Sequence, residues 1–371
     1  MHHDTPNWLP AALDQAERKV LRLADRIGGA FLHATIDGRY DPVDAGWWTS
    51  GFWPGMLWLL HRRTPTPDLA QMATAAENEL TRTLDDARFD ELNHDVGFQF
   101  QPTAVMRYKL TGDPAARRRG IVAAALLMSR FNLAGNFIEA WNGDGPRGMA
   151  IIDTLMNLPL LFWAADATAQ PRYRHIANAH AQMAMQQFIR SDGTTHHIWR
   201  FDQTTGNPIE PLGGQGYAPD SCWSRGQAWA LYGFTIAFRY TRNPAYLETA
   251  RRVADSFIAA LPPDRIPPWD FGAPDAATAP RDSSAGAIAA SGLLDLAALI
   301  GSDGAGYRHA AIDLLRALHS HCAAPDDNDA LLLHATGNLP ASRDIDVALI
   351  YGDYYFLEAL HKLHGLTETC W

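Results

Sequence analysis

The chain is short of cysteine, of basic charge and of long uninterrupted apolar runs, and each shortage closes off a class of function. Cys222, Cys322 and Cys370 are the only cysteines in 371 residues. They are too few and too scattered for a disulfide framework or a thiolate zinc site, and a reducing compartment fits them best. The opening Met1-His2-His3-Asp4 is polar and leads into a charged amphipathic segment without an apolar core or small-residue cleavage site. The protein is therefore expected in the cytoplasm. With 31 Lys and Arg against 41 Asp and Glu, the formal net charge is −10. Nucleic acid and anionic membranes select basic surfaces, so neither is an expected partner. No run of about 18 apolar residues occurs, so no membrane-spanning helix is expected. The glycines around Gly213-Gly214-Gln215-Gly216 match neither a phosphate-binding loop nor a dinucleotide fingerprint, and no strand is expected before them. His196 and His197 are adjacent, whereas metal sites want histidines two apart on a strand or four apart on a helix, so no metal and no cofactor is expected.

What the chain does have is helical periodicity with recurrent start signals. Asp113-Pro114, Gln170-Pro171, Asn243-Pro244 and the Gly301-Ser302-Asp303-Gly304 stretch each place a polar cap or turn just ahead of a helix, most with proline in its first turn. Thr66-Pro67 is a further copy. Counting outward from these marks predicts twelve helices in six pairs, over 10–35, 51–62, 68–85, 97–111, 114–130, 150–168, 171–190, 222–241, 243–261, 281–300, 305–323 and 347–363. Connections alternate between tight and long, the long ones rich in Gly and Pro. A hairpin of about 50–70 residues is longer than common helical repeats. An open solenoid would also need polar caps at its ends, and the last helix is apolar along its first half. The expected fold is therefore all-α, an (α/α)6 barrel of six hairpins, in one domain over residues 1–371.

The helices that follow the long loops open on small or chemically active residues, as in Ser50-Gly51-Phe52-Trp53, His94-Asp95-Val96-Gly97-Phe98, Ile152-Asp153-Thr154 and Cys222-Trp223-Ser224-Arg225. These are the expected inner helices, with their N-terminal ends converging on one cavity. Converging N-termini carry partial positive charge and unpaired N–H groups, which favour a carboxylate-bearing ligand.

Asp95 and Asp153 would stand at the mouths of neighbouring inner helices. Each could be a structural acid, Asp95 as a cap. Asp153, however, lies among Ile151, Ile152 and Leu155, where a lone carboxylate costs several kcal/mol unless it is paired or has work to do. The two are read as an acid/base pair, with Asp95 ionised and Asp153 holding a proton near neutral pH. Arg225 is a candidate fork for a ligand carboxylate, or else a salt-bridge partner of a nearby acid. One of the adjacent histidines is expected to touch substrate. Twelve tryptophans, among them Trp47, Trp48, Trp53, Trp141, Trp223 and Trp229 at loop-to-helix junctions beside glycines, fit sugar-stacking platforms. The pattern favours a carbohydrate pocket with two acids.

The stretches WTSGFWPGMLW, HDVGFQF, IIDTLMNLPLLFWA, GGQGYAPDSCWSRGQAWALYGF, PRDSSAGAIAASGLLDL and IYGDYYFLEAL run in order from Trp48 to about Leu360. Together they resemble the unsaturated glucuronyl hydrolases, glycoside hydrolase family 88. The resemblance implies an (α/α)6 barrel of the six-hairpin glycosidase type. It implies release of the terminal 4,5-unsaturated uronic acid from oligosaccharides left by polysaccharide lyases, through hydration of a vinyl ether. The partner it implies is the unsaturated uronyl oligosaccharide itself, met by a monomer or homodimer. By the same resemblance, Asp153 protonates C4 and assists water at C5, Asp95 tunes it, and His197, Gln215, Arg225, Trp141 and Trp229 contact substrate beside His94. Trp48 and Trp53 are further expected sugar contacts. The Ser-x-x-Ser-x-Lys stretch associated with sulfated substrates is missing between Gly337 and Asp346, which implies unsulfated ones. The alternatives are an unsaturated rhamnogalacturonyl hydrolase, an epimerase working through histidines, and a non-catalytic sugar-binding repeat protein.

Overall fold

The computed structural model describes residues 6–86, 93–142, 147–366 and 369–371. Helices whose apolar residues recur every three or four positions form an outer ring, and helices apolar on every side form an inner one. The outer helices are α1 (Leu9–Ile27), α3 (Pro67–Asp86), α6 (Pro114–Ser129), α8 (Pro171–Gln187), α10 (Pro244–Ala260) and α12 (Ala305–His321). On α10, for example, only the stripe Tyr246, Thr249, Ala250, Val253, Ala254 and Phe257 is buried. The expected caps operate: Asp113 accepts the Ala115 N–H at 2.7 Å, and Asn243 that of Ala245 at 3.0 Å. Proline next in line has no N–H to leave unsatisfied.

The inner ring comprises α2 (Phe52–Arg63), α4 (Val96–Phe100) with α5 (Met106–Thr111), α7 (Leu158–Thr168), α9 (Ser224–Thr241), α11 (Ser283–Ile300) and α13 (Ile350–Leu363). Residues Ser224 to Ala237 of α9 are all buried. Each inner element packs on the next, and α13 returns to α2, closing the ring. Phe52 lies 5.4 Å from Tyr354 across that seam. Close approach depends on missing side chains: a Cβ on Gly51 would fall 2.1 Å from the Phe98 carbonyl oxygen, and one on Gly97 2.5 Å from Asn157 Cα. Among the described residues one stretch, within Ser283–His321, is long and apolar enough to cross a membrane, with a mean hydropathy of 1.6 over 18 residues, but 72% of that window is buried in the fold.

Three boundaries differ from expectation. The first helix stops at Ile27, and 31–43 form a hairpin of β1 (Phe31–Ile36) and β2 (Arg39–Val43). Its turn is Asp37-Gly38, both at positive φ (48° and 77°), the two-residue Asp-Gly signal of a tight hairpin. The element expected over 97–111 is split by a π-helical turn, Gln101–Val105. The helix expected over 150–168 is α-helical only in α7; it is preceded by β5 (Met149–Ile151) and a 3-10 turn, Ile152–Met156, that carries Asp153. Strands β6 (Ile198–Phe201) and β7 (Pro208–Leu212) join β5 in an antiparallel sheet, so a strand does precede Gly213-Gly214. The small hairpin β3 (Phe131–Asn132) with β4 (Phe137–Ile138) completes the strands among the described residues. These strands occupy the long loops, where they brace the inner helix mouths.

Candidate active site

The inner-helix mouths enclose a cavity of about 520 Å³. Asp95 stands immediately before α4, but its side chain makes no capping hydrogen bond. Its N–H is taken by Asn93 Oδ1 at 2.8 Å, which leaves the carboxyl to face the cavity. Asp153 reaches the same cavity from the 3-10 turn. Its Oδ2 is buried without a hydrogen-bond partner, 3.6 Å from His197 Nε2. His94 Nε2 lies 3.4 Å from Asp95 Oδ1, and its Nδ1 is 2.9 Å from the Thr154 hydroxyl. The residue beside each acid thus contacts the residue beside the other.

Electrostatics reverse the expected proton assignment. Burial, then the neighbouring Asp153 carboxylate, push Asp95 up to about 8. Burial pushes Asp153 up as well, but the His197 ring nitrogen facing it, followed by His94 and the Arg225 guanidinium, outweighs burial and holds Asp153 below its usual range. These opposite directions favour the proton on Asp95 and the charge on Asp153. The sequence shows two acids of similar setting; only the fold puts the Arg225 guanidinium and the two imidazoles beside Asp153. His94 is pushed down to about 3 by burial and stays neutral.

Eight of the ten expected site residues line this cavity: Asp153, Asp95, His94, Trp141, His197, Gln215, Arg225 and Trp48. Trp53 and Trp229 do not. Trp53 is fully buried and donates its indole N–H to the Gly28 carbonyl at 2.8 Å, tying α2 to the end of α1. Trp229, also fully buried, packs with its ring 5.1 Å from that of Phe98 and 5.5 Å from that of Tyr355. Both tryptophans belong to inner helices and pack on neighbouring elements rather than facing the mouth. Arg225 is not a free fork. Nη1 donates to Asp282 at 2.5 Å and to the Thr336 carbonyl at 2.6 Å, and Nη2 donates to Gln215 Oε1 and the Gly337 carbonyl. Its guanidinium lies 4.5 Å above the Trp223 ring, so it organises the wall and lends charge. His196 turns away and meets the Pro219 carbonyl at 2.8 Å, so the adjacent histidines share no site.

The fold also adds residues that sequence reasoning left out. His33 enters on β1 and lies 3.2 Å from Asp344 Oδ2, while Asn93, Asn338, Arg343 and Tyr351 line the same walls. His33 was missed with its hairpin, although Asp37-Gly38 announces one. Trp47, with Trp141, forms the exposed rim. Asn338, Arg343 and Asp344 belong to a late loop with no periodicity to mark it.

The arrangement can give a proton and take one at the same place, next to aromatic walls that suit sugar rings. Residues 23–262 match the model of Glycosyl Hydrolase Family 88. The unsaturated glucuronyl hydrolase of Bacillus sp. (strain GL1) is 38% identical over 357 residues, covering 93% of this chain and 94% of that protein. A solved UGL variant with dGlcA-Glc-Rha-Glc superposes with a TM-score of 0.92 at 34% identity, covering 96% of this chain and 97% of that one. A variant of the unsaturated glucuronyl hydrolase from Streptococcus agalactiae, complexed with dGlcA-GalNAc6S, has a TM-score of 0.86 at 29% identity, covering 98% and 93%. This chain is a glycosidase of the (α/α)6 barrel type and belongs to glycosyl hydrolase family 88.

Proposed function

We propose that the cavity releases a terminal 4,5-unsaturated uronic acid from lyase-generated oligosaccharides by hydrating its double bond. The observation that carries this is the pair of buried carboxyls, Asp95 and Asp153, lining one cavity with His94 and His197 beside them, and their opposite pKa directions fit one shared proton. Hydration of a vinyl ether needs one proton delivered to C4 and one removed from the water that adds at C5. A uronate bears its own carboxylate on C5, so any group that reaches C4 and C5 lies beside that negative charge. Binding therefore raises the proton affinity of Asp153, and the proton stored on Asp95 passes to it. Asp153 then protonates C4, positive charge develops at C5 and the ring oxygen, and the resulting Asp153 carboxylate takes a proton from the attacking water. The hemiketal at C5 opens to a ketone, leaving a hemiacetal at C1 that expels the remaining sugar as an alcohol. One water is added and one C–O link to the leaving sugar is broken. Because C1 is not the site of attack, the spacing of the carboxylates does not encode inverting or retaining geometry.

An unsulfated disaccharide fits best. The segment from Gly337 to Asp346 supplies Asn338, Arg343 and Asp344 to the cavity wall. Asp344 is held ionised by the His33 hydrogen bond, and a fixed negative charge there disfavours a sulfate nearby. A cytoplasmic site of action is supported by three buried cysteines that form no disulfide.

The test is loss of the ultraviolet absorbance of the conjugated double bond, followed with unsulfated and 6-sulfated unsaturated glucuronyl disaccharides and with unsaturated galacturonyl-rhamnose. Absorbance should fall fastest with the unsulfated glucuronyl compound, and a reaction in D2O should leave deuterium at C4. Asp153→Asn should abolish the fall. Absorbance that persists with every substrate, or product without deuterium at C4, refutes the reading.

A further inference from the structure

We infer that Trp269 and Asp270, which stand outside the cavity, are the positioning element that decides which nitrogen of His197 carries its proton. His197 is nearly covered, with Trp223 against its ring at 4.3 Å. Its Nδ1 accepts the backbone N–H of Gln215 at 2.9 Å. A proton on Nδ1 could reach the Gly213 carbonyl at 3.2 Å, but it would also point at that N–H. As long as Gln215 keeps its place, the ring proton belongs on Nε2, the nitrogen that faces Asp153 at 3.6 Å.

The peptide of Gln215 is placed by Gly214 on the cavity wall and by Trp269 and Asp270 outside it. Gly214, at φ +58°, lets the turn sit directly on the imidazole, since a Cβ there would fall 2.3 Å from Nδ1. The Trp269 indole N–H holds the Gln215 carbonyl at 2.8 Å. The next residue, Asp270, is fully buried and receives four hydrogen bonds: from the Tyr217 N–H at 2.9 Å, the Ser221 hydroxyl at 2.7 Å, and the Cys222 and Gly272 N–H groups at 3.1 and 2.7 Å. The Trp269 carbonyl receives the Ser224 N–H at 3.1 Å and so ties the same clamp to the start of α9. Two adjacent residues thus hold the turn 213–222 along its length, and through Gln215 they hold His197 as a donor toward Asp153. Their role acts through His197, and neither residue meets substrate.

The catalytic arm of the test rests on the hydrolase reading, but the structural arm does not. In substrate-free protein labelled with 15N-histidine, the His197 signal, identified by its loss in His197→Gln, should report a proton on Nε2. Trp269→Phe keeps the ring and deletes the N–H. It should add a second His197 population with the proton on Nδ1, lower kcat about tenfold and leave KM within about twofold. A native signal with the proton on Nδ1 overturns the proposal, whether or not the variant folds. A folded Trp269→Phe protein with an unchanged His197 signal and native kcat overturns it equally.

Discussion

Asp95→Asn should stabilise the protein while disabling it. Asn is nearly the shape of a protonated Asp, so it replaces what the native site already holds and removes the charge the site resists. Below about pH 4 the folded and unfolded chains both keep this proton, and nothing is lost. Between about pH 4 and 8 the unfolded chain ionises while the native Asp95, raised from 3.8 to about 8, does not, so folding loses stability as pH rises through this window. Each pH unit costs about 1.4 kcal/mol, or about 4 kcal/mol by pH 7. The side chain is 13% exposed, so water at the cavity mouth makes that figure a ceiling. For a chain of 371 residues, about 4 kcal/mol corresponds to a Tm rise of about 5 °C. Scanning calorimetry of both proteins at pH 4 and pH 7 should show a Tm gain of about 2–5 °C for the variant at pH 7 that disappears at pH 4. The same variant should lose at least about a hundredfold in kcat, with KM little changed, because the stored proton is gone. A variant no more stable than the parent at pH 7, or equally stabilised at both pH values, would show that Asp95 is not held protonated.

The same proton limits activity at high pH: kcat/KM should fall as pH rises through about 8, where Asp95 of the substrate-free protein loses it, and a kcat/KM profile flat to pH 9.5 would refute its use. Tryptophan replacements should separate the rim from the core. Trp141→Ala should raise KM about tenfold with Tm nearly unchanged, whereas Trp229→Ala should cost about 3–5 kcal/mol of stability through the void it leaves. Equal KM effects from the two would mean that Trp229 reaches the substrate after all.

The barrel was legible because its evidence is local. Asp113-Pro114 and Asn243-Pro244 announce helix starts that the fold uses as caps, and contrast between striped and uniformly apolar helices separates the outer ring from the inner. The ends of elements were less legible. Nothing in a propensity count stops the helix after Ile27, whereas Gly28 and the Asp37-Gly38 turn do. The run around Asp153 reads as helical because its apolar residues are continuous, a pattern that cannot distinguish strand, 3-10 turn and buried helix. The candidate site was legible where residues sit at the mouths of inner helices, as Asp95, Asp153 and Arg225 do. It was illegible where walls come from distant loops, as with His33, Asn338, Arg343 and Asp344.

The closed ring of helical hairpins, the convergence of Asp95 and Asp153 on one cavity, and the family could all be read along the chain, since caps, periodicity and motif order are local. It took the folded chain to show that Asp95 is pushed up and Asp153 held down, that Arg225 is spoken for by Asp282 and two carbonyls, and that Trp53 and Trp229 face inward. The physical reason is that charge, desolvation and hydrogen-bond supply at a side chain are set by whatever the fold places within a few ångströms of it, and those neighbours lie tens to hundreds of residues away.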